Sequence, residues 1–154
     1  MRARREEVWA AIVAFERMPE WFVGTKKVLL HSPKLGAGAE RTVRILTGSA
    51  FRERFVQWDE GRAFSFEVLT PPLFTGDWRV RVALEPAADG TPLPGTTLRG
   101  TILRWSMEYA TTYGMIGKVY SACILRPVLD LALVLSLRKL RSTLERGDAT
   151  RRRE

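Results

Sequence analysis

Cys123–Leu144 reads CILRPVLDLALVLSLRKLRSTL and lies at the heart of the apolar segment Tyr113–Arg146. Its apolar positions recur at helical spacing, so we read one long helix, bent at Pro127 because proline cannot donate the helical hydrogen bond. Leu133, Leu137, Leu140 and Leu144 form one stripe, and Ile124, Val128, Leu131 and Leu135 form a second on roughly the opposite side. A single sheet can cover only one of them. The other is expected to meet helix one, a partner subunit or a membrane surface, and a homodimer through this helix is the expectation if that stripe is exposed. Val119–Leu137 is long enough to span a bilayer, but Arg126, Pro127 and Asp130 interrupt it. Each mid-membrane charge costs about 2.5–3.5 kcal/mol on insertion scales, so a spanning helix is not the expectation.

Upstream of the helix the period changes from 3.6 to 2. Ala3–Glu16 reads as an amphipathic helix with Val8, Ala11, Ile12 and Phe15 on one side, and Pro19–Val23 as a further turn stopped by Gly24. Alternating segments follow at Lys26–Ser32, Glu40–Leu46, Ala50–Trp58, Arg62–Leu69 and Asp77–Glu85, separated by Gly-, Pro- and Asp-rich turns. Thr96–Tyr109 is read as the last strand. Its apolar parity changes between Ile102 and Leu103, which predicts a β-bulge there. Together these segments predict an α+β fold, a curved antiparallel sheet wrapped around the long C-terminal helix. One domain is expected over residues 1–146, with residues 147–154 as a disordered basic tail.

Composition removes several functions. The 154 residues hold one cysteine and one histidine, too few for a Cys/His zinc site or an intramolecular disulfide. Cys123 is expected as a buried free thiol, and His31, out of phase with Val28 and Leu30, as a surface residue. Gly36 and Gly38 lack the third glycine and following helix of a dinucleotide loop. No nucleophile with a base and orienter is visible, and no cofactor or metal is expected. The formal charge is +8. Basic residues without interleaved exposed aromatics describe a solvated face, so a nucleic-acid partner is not expected. Peripheral contact with an anionic membrane is compatible with that charge. Glu6, Glu7 and Glu16 break the N-terminal apolar stretch as a signal peptide, and a cytoplasmic protein is expected.

Several local features recur together. They are Glu7-Val8-Trp9 on helix one, the Pro19-Glu20-Trp21 turn, the Leu35-Gly36-Ala37-Gly38 hairpin and Glu53 on a strand ending Trp58-Asp59. The Asp89-Gly90-Thr91 loop and a closing helix through Leu137, Leu140, Leu144 and Glu145 complete them. In order and spacing the chain resembles the START-like (helix-grip, SRPBCC) superfamily, and within it the polyketide cyclase/dehydratase-like group. Members begin with a strand before helix one that pairs with the last strand. Here helix one starts almost at Met1, so either the natural start lies upstream, which we expect, or the last strand carries an open edge.

The resemblance implies a hydrophobic cavity between sheet and helix, holding a small molecule of lipid, polyketide or isoprenoid type. The expected ligand-binding residues are Phe55, Phe66, Trp78, Trp105, Met107 and Tyr109, with Tyr113 and Met115 at the helix entrance and Phe74 as a lid. The alternative is a cyclase or dehydratase in which Glu53 or a cavity tyrosine transfers protons. Glu53 shares its parity with Phe51 and Phe55, so its carboxyl faces inward; cross-strand pairing with an arginine such as Arg44 is the plainer role. Arg126 and Asp130, four residues apart, are expected to pair on one helix face.

Overall fold

The computed structural model describes residues 5–71, 75–86, 97–98, 101–111 and 114–151. Helix α1 spans Arg5–Val13 and buries Val8, Trp9 and Ile12. A 3₁₀ turn, Phe15–Glu20, follows directly and buries Phe15 and Met18. Residues three apart eclipse in a 3₁₀ helix, which is why this pair shares one face. Pro19 therefore sits inside the turn rather than opening it. Gly24, at φ +90°, reverses the chain into the sheet, a conformation costly for any residue with a Cβ.

Among the described residues seven strands follow: β1 Thr25–Leu30, β2 Glu40–Ile45, β3 Ala50–Asp59, β4 Ala63–Val68, β5 Thr75–Pro86, β6 Thr97–Leu98 and β7 Thr101–Thr111. They form one antiparallel sheet in the order β1-β2-β3-β4-β5-β7-β6. Alternation sends Val28, Val43, Phe55, Phe64, Phe66, Val80, Val82, Leu84 and Leu103 into a core shared with α1. Each such side chain contributes about 1.5–3 kcal/mol on burial.

Two irregularities redirect side chains. In β3 the pairing moves from Phe55↔Phe66 to Gln57↔Ser65, leaving Val56 as an extra residue. That bulge switches the parity of the strand and brings Trp58 inward, where it meets the rings of Trp9, Phe55 and Phe64 at 5.3–5.5 Å. The bulge expected at Ile102-Leu103 is absent. β5 pairs with β7 without a shift from Trp78↔Tyr109 to Pro86↔Thr101, and the chain folds back before Thr101 so that Leu98 faces Thr101. The parity change in the sequence is thus a strand reversal. Beyond Ile102 no described strand covers the outer edge of β7.

The C-terminal segment is helical throughout: α2 Gly114–Tyr120, a π turn Ser121–Leu125, and α3 Arg126–Arg151. Pro127 cannot donate to the Cys123 carbonyl, and its ring crowds that carbonyl. The wider π turn absorbs both problems immediately before it. α3 runs past Gly147, where an unstructured tail was expected, because one glycine costs a helix only about 1 kcal/mol. Leu137 and Leu140 of α3 are buried. Ser136 is wholly buried and accepts a 2.8 Å hydrogen bond from the Val23 N–H, which ties α3 to the chain ahead of β1. The opposite stripe is open: Ile124, Val128, Leu131 and Leu135 are 41–60% exposed. Cys123, expected to be buried, is exposed with them.

Candidate functional site

The inner face of β7 and the first turns of α3 do not close on each other. Between them is a cleft of about 550 Å³ walled by Trp105, Met107 and Tyr109 from β7 and by Leu129 and Leu133 from α3, with Glu108, Arg126 and Asp130 as its charged groups. The reason lies in residue type and phase. Leu103 is fully buried, but further along the strand Trp105, Met107 and Tyr109 all stay half-buried. Phe22 packs on Trp105 at 5.5 Å, and Trp78 packs on Tyr109 at 5.7 Å. The indole N–H of Trp78 is buried and meets no acceptor among the described residues. A buried donor without an acceptor is costly, but Trp78 is not among the residues lining the cleft.

Of the residues expected at the ligand, Trp105, Met107 and Tyr109 line the cleft, and Trp78 backs it through Tyr109. Phe55 and Phe66 lie deeper, 1% and 3% exposed, in the aromatic core. Met115 does not join them; it stands 81% exposed on α2. Phe74 and Tyr113 lie outside the described residues. Arg126 and Asp130 both reach the cleft but remain exposed, with no ion pair between them among the described contacts. His31 is exposed and hydrogen-bonds Thr42.

Glu53 does face inward, 7% exposed, but its partner is Arg41 rather than Arg44. Arg41 Nε donates to Glu53 Oε2 at 2.6 Å. The β2–β3 hairpin register places Arg41 opposite Glu53 and Glu40 opposite Arg54, so the same cross-strand charge pairing occurs on both faces of the sheet. On the outer face Glu40 takes both Arg52 and Arg54, which hold its carboxyl below the usual carboxylate range. On the inner face burial pushes the Glu53 carboxyl up, and Arg41 only partly offsets it. The Arg41 guanidinium is boxed by Phe15, Phe66 and Phe55 at 4.2, 4.8 and 5.1 Å, and its buried Nη1 has no hydrogen-bond partner among the described residues. The sequence held a signal for this pair: Arg41 shares its parity with Val43, and the tight turn Thr47-Gly48-Ser49 fixes the register.

Among the described residues no three His, Cys, Asp or Glu side chains gather as a metal site. A second opening of about 470 Å³ separates α1 from the end of α3, between Ala10, Ala11, Ala14 and Leu140, Leu144.

A curved antiparallel sheet gripping a C-terminal helix, with a cleft of mixed polarity between them, defines a helix-grip protein. The chain matches the family described as polyketide cyclase / dehydrase and lipid transport over residues 1–145, and it belongs to that family. No curated protein matches it in sequence. Among solved structures it is similar to the protein TTHA0849 from Thermus thermophilus, with a TM-score of 0.68 at 14% identity, covering 96% of this chain and 93% of that one. It is similar as well to the protein XoxI from Bacillus cereus (TM-score 0.64, 15% identity, 94% and 89% covered). Ara h 8.0201 matches with a TM-score of 0.63 at 13% identity, covering 92% and 90%. At these identities the likeness establishes the fold alone.

Proposed function

We propose that the protein binds a small hydrophobic molecule of lipid, polyketide or isoprenoid type in the cleft between β7 and α3, in the cytoplasm. The observation that carries this reading is the cleft itself. Its volume of about 550 Å³ falls within the usual range for small-molecule sites. Trp105, Met107, Tyr109, Leu129 and Leu133 give it apolar walls from two elements, and Glu108, Arg126 and Asp130 make the rest of its lining polar, which suits an amphipathic molecule. The family description, which joins polyketide chemistry with lipid transport, agrees with that ligand class. The proton-transfer reading has less support, since Glu53 is engaged by Arg41 beneath aromatic rings and is not among the residues lining the cleft.

Native mass spectrometry of freshly purified protein tests the proposal. A hydrophobic adduct is expected, and Met107→Lys, which threads a long side chain into the cleft, should abolish it. The same substitution should cost about 1 kcal/mol, roughly 2–4 °C in Tm. No adduct, together with no thermal shift from a panel of fatty acids, polyketides and isoprenoids, overturns the proposal.

A further inference from the structure

Of the large hydrophobic side chains that stand exposed among the described residues, all but Val23 and Leu46 belong to the helical segment Gly114–Leu144. This segment is long and apolar enough to cross a membrane, yet only 6% of its most apolar window is buried. A core helix of a soluble domain would be covered. Here Val128, Leu131 and Leu135 fall within one narrow arc of α3, on the side away from the buried Leu137 and Leu140. Ile116 on α2 and Ile124 on the π turn add further exposed apolar surface to the same helical rod.

The charges beside this surface are almost all of one sign. Lys118, Arg138 and Lys139 stand exposed beside it and Arg141 further round the helix, while Arg126 and Asp130 lie on the cleft side. Arg138 and Lys139 continue the outward arc where its apolar part ends.

We propose that this face docks on a bilayer containing anionic lipids, with α2 and α3 lying along the interface. An amphipathic helix that combines an apolar stripe with lysine and arginine binds such a surface through both parts, and anionic headgroups supply the counter-charge. A second copy of this chain is the poorer occupant. Stripe against stripe would bring Lys118, Arg138 and Lys139 of one copy beside those of the other, in a chain of net charge +8. Crossing the bilayer is poorer still. It would strip Ser136, Leu137 and Leu140 from the core, break the Val23–Ser136 hydrogen bond, and carry Arg126 and Asp130 into the hydrocarbon. The inference concerns a surface outside the cleft and holds whichever molecule the cleft takes.

The full chain is tested by flotation with vesicles of phosphatidylcholine alone or mixed with phosphatidylserine. Binding to the mixed vesicles is expected to be at least about tenfold tighter and to weaken with added salt. The triple variant Val128→Ser/Leu131→Ser/Leu135→Ser changes only exposed side chains that do not line the cleft. It should lose flotation while keeping its Tm and its native-mass adduct, so loss of docking and loss of ligand binding are read apart. Cys123, the chain's one cysteine and exposed on the same rod, accepts an environment-sensitive fluorophore that should shift to the blue on the mixed vesicles alone. Equal binding to both vesicle types, no binding, extraction only by detergent, or a dimer that the triple variant dissolves would each overturn the proposal.

Discussion

Removing Glu53 should cost far more than removing Arg41, although the two share one contact. A guanidinium cannot shed its charge in a protein. With Glu53→Leu, Arg41 would remain charged, 1% exposed and without its one acceptor, leaving only the rings of Phe15, Phe55 and Phe66. Breaking a buried pair in this way costs about 3–5 kcal/mol, and the cation–π attraction of up to ~2 kcal/mol is present in the natural protein as well, so it recovers none of that cost. With Arg41→Met the carboxyl is left behind, but burial already pushes its pKa up, so it can take a proton and become neutral. That single change should cost about 1–3 kcal/mol. Replacing both, Arg41→Met with Glu53→Leu, restores an apolar core and should lie near the natural protein or above it by ~1–4 kcal/mol. The cycle is read from urea unfolding at constant m, on the alkaline side of neutrality where the pair is most ionised. A total stability of about 5–15 kcal/mol leaves room for the worst single variant, and Glu53→Gln, which keeps an acceptor for Arg41 Nε, serves if Glu53→Leu does not fold. Additive single costs, or a Glu53→Leu cost under ~1 kcal/mol, would refute the reasoning.

The two faces of the β2–β3 hairpin should answer pH in opposite senses. Glu40 is held below the usual carboxylate range, so its contribution is present above that range and lost as pH falls through its lowered folded value; Glu53 is pushed up, so the native state holds the proton more tightly and stability falls as pH rises through the interval above that range. Carboxyl-carbon NMR titration reads both, and a Glu53 that titrates below Glu40 would contradict the assignment. Ser136→Ala should cost about 1–2 kcal/mol by leaving the Val23 N–H without its acceptor, and hydrogen exchange at Val23 should quicken; unchanged exchange would show that α3 is held by its leucines alone. Val56 deletion should remove the β3 bulge while keeping Phe55↔Phe66, Gln57↔Ser65 and Trp58↔Phe64 in register, so Trp58 stays inward, the indole emission does not shift to the red, and stability changes by about 1 kcal/mol or less. A red-shifted emission with a large loss of stability would mean that Val56 is not the extra residue of the strand.

The amphipathic stripes of the long helix were legible because periodicity records which side chains need cover. Leu137 and Leu140 found it, and Ile124, Val128, Leu131 and Leu135 did not. Strand parity likewise gave the inward placement of Glu53, Phe55, Phe66, Trp105 and Met107. What escaped was whatever depends on register or on one inserted residue. Val56 carries no mark that it will be skipped, yet it reverses the direction of Trp58. Arg41 and Arg44 are both plausible partners of Glu53 by proximity, and only counting back through the Thr47-Gly48-Ser49 turn separates them. The parity break at Ile102-Leu103 has two geometric solutions, a bulge or a reversal, and composition does not choose between them. Burial of Cys123 was misjudged for another reason: an apolar helix is not a buried helix unless enough surface exists to cover both sides.

That shortage of cover divides the molecule into a closed end and an open one. At β3 and β4, rings from α1, the 3₁₀ turn and the sheet interlock: Trp9, Phe15, Phe55, Trp58, Phe64 and Phe66 each lie within 6.4 Å of at least one other. The buried ion pair sits beneath this cluster, with Phe15 of the 3₁₀ turn and Phe55 and Phe66 of the sheet over Arg41. At β7 the inner face has only Phe22 and Trp78 as aromatic neighbours among the described residues, α3 stands off, and the outer strand edge beyond Ile102 lacks a described partner. Packing of the first kind resists local opening, whereas sparse packing lowers its cost. The proposed guest would therefore enter beside Trp105 and Met107 by displacing α3 without disturbing the aromatic cluster. The helix that would move carries the apolar, cation-flanked face. Docking that face on a bilayer would hold α3 from outside the cleft and would link occupancy of the surface to access to the cavity.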